Sequence, residues 1–284
     1  MLLEPELRAR LERLALRSRQ RVRAQWSGRH LSKHKGESID FADYREYTDG
    51  DDFRRIDHSL WARLGVLLVK QYEAEEELPV NVVLDVSKSM GFYGKFETAR
   101  RLAAMVAYLG LAGGDRVQLF SVPEMEAGPV GRHLATWPPL ELWLEARSPT
   151  AVGGLAPALR RLAASPGRRG SLVIVSDLLS DDWRQALDGL VAGAGGLVLH
   201  VLADQELSPE LAGDLRLVDG EGGADVPFST SAASLAAYRR SLEQFVEGAA
   251  GRTKRARSDY LLVRSGEGAA ESVLSRLAEA AVVR

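Results

Sequence analysis

The sequence contains no cysteine, and this absence excludes several kinds of site. Disulfides, zinc–thiolate sites, iron–sulfur clusters and thiol nucleophiles all require cysteine, so none of them can form here. A strong net charge is also missing, because 37 lysines and arginines nearly balance 39 aspartates and glutamates to give a formal net charge of −2. The overall charge therefore provides no general attraction to nucleic acid or to an anionic membrane.

Long apolar runs and nucleotide-binding loops are missing as well. The longest apolar stretch, around residues 102–112, is shorter than the roughly 20 residues that span a bilayer. The first six residues include acidic side chains where a secretory signal needs a basic segment and an apolar run. We therefore expect a cytoplasmic protein without a membrane span. Walker, dinucleotide-binding and Gly-x-Ser-x-Gly motifs are absent too, which argues against an ATPase or a serine hydrolase.

The first segment of the chain, residues 1–27, is predicted to be a basic helix. Leu7, Leu11 and Leu14 recur on one face of a helix that runs from Pro5 to about Trp26. Seven arginines lie between residues 8 and 23. A basic helix can bind RNA or a membrane surface, but a solvated helix face explains the arginines equally well. We expect no nucleic-acid partner.

The second segment, residues 28–78, is predicted to be a small β-rich extension packed on the main domain. Short extended pieces alternate there with turn signals such as residues 48–51, and residues 67–72 are typical of a strand. Charged residues of both signs suggest a partly buried charge network or, alternatively, a partner surface. They are Arg45, Asp51, Asp52, Arg54, Asp57, Arg63, Lys70 and Glu73.

The third segment, residues 79–284, alternates strands and helices. Continuous apolar runs predict strands at 80–84, 116–121, 171–175, 196–202, 215–218 and 260–264. Amphipathic stretches predict helices at 95–111, 139–145, 156–164, 182–191, 234–248 and 270–283. This alternation indicates an α/β fold, with a doubly wound, mostly parallel, Rossmann-like sheet flanked by helices and Val80–Leu84 as an interior strand.

Polar residues follow two of the predicted strands. Asp85, Ser87 and Ser89 come directly after strand 80–84, and Asp177 follows strand 171–175. Ligands of open parallel sheets bind beyond the carboxyl ends of the strands, and hard oxygen atoms suit Mg²⁺, Mn²⁺ or Ca²⁺. The same residues could instead satisfy backbone groups and form polar strand ends.

The pattern Asp85-x-Ser87-x-Ser89, after an apolar strand and before an amphipathic helix, resembles the metal-ion-dependent adhesion site of von Willebrand factor A domains. Asp177 corresponds to the second acidic position of that family. The resemblance implies a further ligand, a threonine after a glycine pair, but Leu155 follows the pair in this chain and the nearest threonine is Thr150. It therefore implies a weak Mg²⁺ site, with Mn²⁺ or Ca²⁺ as alternatives, formed by Asp85, Ser87, Ser89, Asp177 and Thr150.

A second resemblance covers residues 26–76. This stretch is similar to a bacterial family whose members carry a von Willebrand A domain and are typically encoded beside MoxR-type AAA+ ATPases. His58 lies where that family commonly has tryptophan. The resemblance implies a non-enzymatic protein-binding adaptor whose partners are a MoxR-type AAA+ ATPase, a protein ligand presenting an aspartate or glutamate, or both. The motif is Gly28-x₃-Ser32-x₃-Gly36, Tyr44-Arg45-x-Tyr47-x₂-Gly50-Asp51-Asp52-x-Arg54-x-Ile56-Asp57, Ala62-Arg63 and Val69-Lys70-x-Tyr72-Glu73.

Three other functions remain open from the residues alone. The first is a structural adaptor whose metal site is degenerate. The second is a metal-dependent phosphatase. The pattern typical of such enzymes has a second aspartate two residues after the first, where this chain has Ser87. The third is RNA binding through the first helix. We also expect Asp85→Ala to leave the fold intact, on the assumption that Asp85 lies at a solvent-facing edge.

Overall fold

The computed structural model describes residues 1–26, 41–48, 51, 53, 56–72, 79–164, 170–190, 196–209, 214–217, 226–229, 231–266 and 268–283. The chain divides into two compact units. The larger unit comprises Met1–Val22 and Leu78–Arg284, and the smaller unit comprises Arg23–Glu77.

Helices and strands are numbered in chain order. The helices are α1 (Pro5–Trp26), α2 (His58–Leu64), α3 (Lys95–Gly113), α4 (Trp137–Glu145), α5 (Leu155–Ala163), α6 (Trp183–Asp188), α7 (Asp204–Leu207), α8 (Ala232–Arg255) and α9 (Ala269–Val283). The strands are β1 (Phe41–Glu46), β2 (Leu68–Tyr72), β3 (Val80–Asp85), β4 (Val117–Val122), β5 (Glu126–Gly131), β6 (Ser171–Ser176), β7 (Gly196–Leu202), β8 (Asp214–Leu217), β9 (Val226–Ser229) and β10 (Asp259–Arg264).

The larger unit is built on a six-stranded sheet with the order β10-β7-β6-β3-β4-β5. Neighbouring strands from β10 to β4 run parallel, whereas β5 pairs antiparallel with β4 at the edge. The predicted doubly wound, mostly parallel sheet is therefore confirmed, with β3 as an interior strand. From β3 the chain continues to β4 on one side, and from β6 it continues to β7 on the other. The direction of winding thus reverses between β3 and β6, and ligands of open α/β sheets bind at such a switch point.

Both faces of this sheet are covered. Successive side chains of a strand point to opposite faces, so Val82 and Leu84 enter one core while Val83 enters the other. Side chains of α1, α3, α4 and α9 complete the first core, and those of α5, α6 and α8 complete the second. These layers hold the carboxyl ends of β3 and β6 in fixed positions.

Helix α1 belongs to the core of the larger unit. Leu7 and Leu11 are buried and Leu14 is partly buried against the same cluster, as the leucine spacing predicted. Tyr108 of α3 donates a hydrogen bond to Glu12 of α1 at 2.6 Å. The first half of this basic helix is therefore an integral part of the α/β unit.

We expect Leu11→Ala to lower the free energy of unfolding by about 2–5 kcal/mol, because it leaves a cavity at a fully buried position. The neighbouring exposed residue provides the control, and Arg10→Ala should change stability by less than about 0.5 kcal/mol. Urea denaturation of both variants measures the difference. Equal midpoints would show that α1 does not contribute to the core.

The smaller unit pairs β1 antiparallel with β2 and adds helix α2, which the sequence analysis did not predict. Asp57 caps α2 by accepting hydrogen bonds from two backbone amides, and Gly65 ends it in a left-handed conformation. Of the predicted charge network, Arg45 forms a two-pronged ion pair with Asp51 at 2.5 and 2.6 Å. Gly28, Ser32, Gly36, Gly50, Asp52, Arg54 and Glu73 of the predicted motif and network lie outside the described residues.

One predicted strand is placed differently. Residues 215–218 were expected to join the main sheet, but β8 pairs antiparallel with β9 in a separate two-stranded sheet. The local sequence shows only that a strand forms, whereas the choice of partner depends on contacts distant in sequence. Within the described ranges, no helix has both the length and the apolar character needed to cross a membrane.

Candidate metal centre

Asp85 lies at the end of β3 and is buried, with 2% of its surface exposed. Its Oδ1 accepts a hydrogen bond from the backbone N–H of Ser87 at 2.9 Å, and its Oδ2 accepts one from Oγ of Ser176 at 2.5 Å. The expectation that Asp85 occupies a solvent-facing edge is therefore wrong. The carboxylate is held in a fixed orientation by the strand next to it and by its own turn.

The other predicted ligands adjoin Asp85. Ser87 precedes a short 3₁₀ turn, Lys88–Gly91, that contains Ser89. The hydroxyl oxygens of the two serines are 3.0 Å apart, and Oγ of Ser89 donates to Oδ1 of Asp177 at 3.2 Å. A continuous chain of hydrogen bonds thus joins four of the five predicted ligands at the switch point of the sheet.

Lys95 is a member of this cluster that the sequence analysis missed. Its side chain is buried, and its Nζ donates to Oδ2 of Asp177 at 2.7 Å and to Oε1 of Glu206 at 2.6 Å. Glu206 is fixed in turn, since its Oε2 accepts from the backbone N–H of Ala203 at 2.8 Å. Oδ1 of Asp177 also accepts from the N–H of Leu179 at 3.1 Å, so Asp177 is surrounded by protein donors.

The sequence did contain a signal for Lys95. Residues Ala99, Leu102 and Val106 form the buried stripe of α3. Extending that stripe by one turn toward the amino terminus reaches Lys95, because positions four and seven residues apart share a helix face. A lysine on the inward face of a helix indicates a buried ion pair, since an unpaired buried charge is strongly unfavourable.

The cluster has more negative than positive charge. When all groups are ionised, the carboxylates of Asp85, Asp177 and Glu206 contribute −3 and Lys95 contributes +1, which leaves −2. Burial, followed by repulsion from Asp177, raises the pKa of Asp85 to about 7. A divalent cation has the charge that this cluster lacks, and its carboxylate and hydroxyl oxygens are ligands that Mg²⁺, Mn²⁺ and Ca²⁺ accept.

His200 lies behind Asp177 and supports its backbone. Its Nε2 is 2.9 Å from the carbonyl oxygen of Asp177, and its Nδ1 is 2.6 Å from the hydroxyl of Tyr260. A carbonyl can only accept, so Nε2 carries the proton and Nδ1 accepts from Tyr260. Burial lowers the pKa of His200 to about 4, so the ring is neutral at physiological pH and fixes the end of β6.

Thr150 is exposed on a loop beside the cluster. The next residue, Ala151, forms a bridge with Ser87, in which Lys88 N–H donates to the Ala151 carbonyl and Ala151 N–H donates to the Val86 carbonyl, both at 3.0 Å. The backbone of this loop therefore adjoins the cluster. The Thr150 side chain faces solvent and is not part of the hydrogen-bond chain that joins the other four predicted ligands.

Leu155, at the position where the resemblance implies a threonine, has no oxygen to offer and is buried in the second core. The start of α5 is instead fixed by Asp182, whose carboxylate accepts from the backbone N–H groups of Leu155 and Ala156, each at 3.0 Å. A side chain on Gly154 would overlap with this carboxylate. Glycine at position 154 thus serves the cap that anchors the loop.

We expect Gly154→Ala to lower the free energy of unfolding by about 1–2 kcal/mol, because the added methyl group displaces the capping carboxylate of Asp182. Gly251→Ala is the matched control. Gly251 lies within α8 and an added methyl group there meets no atom within 4 Å, so this change should be neutral or stabilise the protein by about 0.5–1 kcal/mol. Thermal unfolding gives the melting temperatures of the two variants for comparison. Similar melting temperatures would contradict the role given to the cap.

Few side chains at this site are typical metal ligands. Among the residues that the structure describes, no group of three or more His, Cys, Asp or Glu side chains is arranged to hold a metal ion. Any ion at Asp85 would therefore depend on two carboxylates, on hydroxyl oxygens and on water. Mg²⁺ is commonly bound in this way, with few carboxylates and several retained waters.

The chain matches a known protein family over most of its length. The family model described as "Protein of unknown function DUF58" matches residues 43–247, which is more than half of the chain. The chain belongs to the DUF58 family. The match includes part of the β-rich extension and both strands that carry the cluster.

Relatives and a solved structure give further similarities. The proteins named "Uncharacterized protein Rv1480" from Mycobacterium tuberculosis and "Uncharacterized protein Mb1516" from Mycobacterium bovis are each 29% identical to the chain over 270 residues, covering 86% of it and 83% of their own length. A solved chain described as "von Willebrand factor type A from Catenulispora acidiphila" aligns with a TM-score of 0.46 and 12% identity. That alignment covers 76% of this chain and 45% of the solved chain.

Proposed function

We propose that this DUF58 protein is a non-enzymatic, protein-binding adaptor that uses a divalent metal at the Asp85 cluster, as the adhesion-type site of von Willebrand A domains does. The observation that carries the proposal is the cluster itself. Two buried carboxylates and two hydroxyls lie within one hydrogen-bonded group at the switch point of the sheet, and with Glu206 and Lys95 included its net charge is −2 when all groups are ionised. Such a charge excess favours a cation.

The residues present fit Mg²⁺, with Mn²⁺ or Ca²⁺ as alternatives. Asp85, Ser87 and Ser89 would supply oxygen ligands, and Asp177 would act through Ser89 and water, because Lys95 and Leu179 already donate to its carboxylate. Thr150 would join only if its exposed side chain turned inward. When bound, the ion would supply an open coordination position for the carboxylate of a partner protein. With so few charged ligands, we expect weak metal binding that strengthens once the partner is present.

The proposed partner is an AAA+ ATPase of the MoxR type, for which the protein would act as an adaptor or substrate selector in the cytoplasm. Two sequence features support this proposal. The motif in residues 26–76 resembles the family encoded beside such ATPases, and the chain has no nucleotide-binding loop of its own. A protein ligand presenting an aspartate or glutamate at the metal would be the second partner.

Affinity purification tests the proposal directly. The tagged full-length protein is purified from its native host in Mg²⁺ and, in parallel, in chelator, together with Asp85→Asn. We expect an AAA+ ATPase to be recovered, and we expect a protein ligand that is recovered in Mg²⁺ to be lost in chelator and with Asp85→Asn. Recovery of the same proteins in all samples would contradict a role for the metal. The absence of any AAA+ ATPase would contradict the partner assignment.

A second candidate is a structural adaptor in which the metal site is degenerate. One observation favours it: the ammonium group of Lys95 already neutralises Asp177, and Ser87 and Ser176 already satisfy Asp85. The cluster can therefore remain folded without an ion. In that case Mg²⁺ would change neither the stability of the protein nor the set of proteins recovered with it.

A further inference from the structure

Four large apolar side chains are exposed on the loops that carry or adjoin the Asp85 cluster. Phe92 is 47% exposed, Tyr93 59%, Val152 55% and Leu179 45%. Single exposed apolar residues are common on soluble proteins, whereas a group of them beside a polar centre indicates an interaction site. We refer to these four residues as the apolar rim.

Hydrogen bonds anchor the three loops that carry the rim. Phe92 and Tyr93 follow the 3₁₀ turn that carries Ser89, and the Tyr93 carbonyl accepts from Oγ of Ser265 at 3.0 Å. Leu179 N–H donates to Asp177. Val152 directly follows the residue that bridges with Ser87. All three loops thus end at the same edge of the sheet, and their apolar side chains are displayed by anchored backbone.

Backbone strain occurs in two of these loops. Tyr93 has φ = 53° and Leu178 has φ = 56°, in the left-handed region that disfavours residues other than glycine and asparagine. The Tyr93 ring is mostly exposed, so packing of the ring into a core does not account for the strain. Strained residues of this kind concentrate at binding sites. Here the residue with positive φ carries an exposed aromatic ring, next to the turn that contains Ser89.

Exposed charges of both signs lie on the loops of the rim, Lys88 on one and Asp181 on another. Lys88 lies between the two serines of the cluster, and its side chain is exposed. The four rim residues carry no charge. With a metal bound at Asp85, an approaching carboxylate would meet a positive ion, with an exposed lysine and apolar side chains on the adjoining loops.

We propose that the apolar rim and the Asp85 cluster together recognise a protein segment in which an aspartate or glutamate is flanked by bulky apolar side chains. The carboxylate would occupy the open position of the metal, and its neighbours would pack on Phe92, Tyr93, Val152 and Leu179. This inference rests on the proposed metal-dependent function and adds to it the chemistry of the ligand.

Two short synthetic peptides test the inference by calorimetry with the full-length protein in Mg²⁺. One carries a single aspartate between leucine and phenylalanine, and the other carries the same aspartate between serines. We expect the apolar-flanked peptide to bind at least about tenfold more tightly, because burying part of two large apolar side chains is sufficient for that ratio. The rim variant Tyr93→Asn with Leu179→Ser should abolish the preference. Asparagine suits position 93 because it tolerates positive φ.

The matched control is Leu142→Ser, which removes a 67% exposed leucine from α4, outside the rim. This variant should keep the full preference. Equal binding of the two peptides, or no measurable binding of either, would overturn the inference about the rim while leaving Mg²⁺ binding to be measured separately. Failure of Mg²⁺ itself to bind the wild type would instead contradict the proposed function on which the inference rests.

Discussion

Lys95→Met is expected to lower the free energy of unfolding by about 3–5 kcal/mol, because it removes one partner of a buried ion pair and leaves the others uncompensated. Methionine has nearly the length of lysine, so the change deletes the charge and little of the volume. Asp177 is 0% exposed and keeps only its hydrogen bonds to Ser89 and Leu179, while Glu206 loses the cation between it and Asp177. Chemical denaturation at neutral pH in chelator measures the loss.

The same variant should respond more strongly to Mg²⁺. Without the ammonium group the cluster has one more uncompensated negative charge, so an ion that binds the folded state should stabilise Lys95→Met more than the wild type. Lys88→Met serves as the control, since Lys88 is exposed in the same segment and its loss should cost less than about 0.5 kcal/mol. If Lys95→Met proved as stable as Lys88→Met, the result would contradict a stabilising role for the buried ion pairs of Lys95.

Asp85→Asn is expected to stabilise the metal-free protein at alkaline pH. Folding raises the pKa of Asp85 from 3.8 to about 7, through burial and then repulsion from Asp177. Between about pH 4 and 7 the folded state therefore keeps a proton that the unfolded state has released, and stability falls as the pH rises. Above pH 7 the buried, ionised carboxylate of Asp85 lowers the free energy of unfolding by roughly 2–4 kcal/mol. Asparagine carries no charge and avoids this loss.

The measurement is the difference in unfolding free energy between wild type and Asp85→Asn, in chelator, from about pH 4 to pH 8. The pKa of His200 is lowered to about 4, so His200 destabilises both proteins as the pH falls below about 6.5 and cancels in the difference. Asp204→Asn is a control, because Asp204 is 64% exposed and its substitution should change the free energy of unfolding by less than about 0.5 kcal/mol. A flat difference for Asp85→Asn would show that Asp85 is not held as a strained, buried carboxylate.

The fold followed from the sequence where patterns were local. The apolar runs of β3, β4, β6, β7 and β10 and the periodicity of α1 and α3 each predicted an element that the structure contains. Strand β5 escaped prediction because its sequence holds two glycines, a proline and only one strand-forming residue, Val130. Proline is tolerated there because β5 is an edge strand. Helix α2 has a start signal in Asp57 and a stop signal in Gly65, which the sequence analysis did not use.

The candidate site could also be predicted only in part, because only some of its features follow from local patterns. The position of Asp85, Ser87, Ser89 and Asp177 at one sheet edge follows from parallel strands, so sequence reasoning could find it. The packing of α3 against β6 decides the burial of Asp85, Ser87 and Asp177 and the contact between Lys95 and Asp177, which are 82 residues apart. Local patterns do not contain that information. Sequence reasoning thus brought the four polar residues together and missed the ammonium group of Lys95 that lies beside them.

Titration calorimetry of Mg²⁺ into the metal-free protein tests most directly whether the Asp85 cluster binds a divalent metal. Wild type and Asp85→Asn are compared at pH 8, where Asp85 is ionised by virtue of its pKa of about 7. We predict weak, saturable binding of Mg²⁺ to the wild type and none to Asp85→Asn. Absence of binding to the wild type, or equal binding to both proteins, would contradict the account and favour the structural adaptor without a metal.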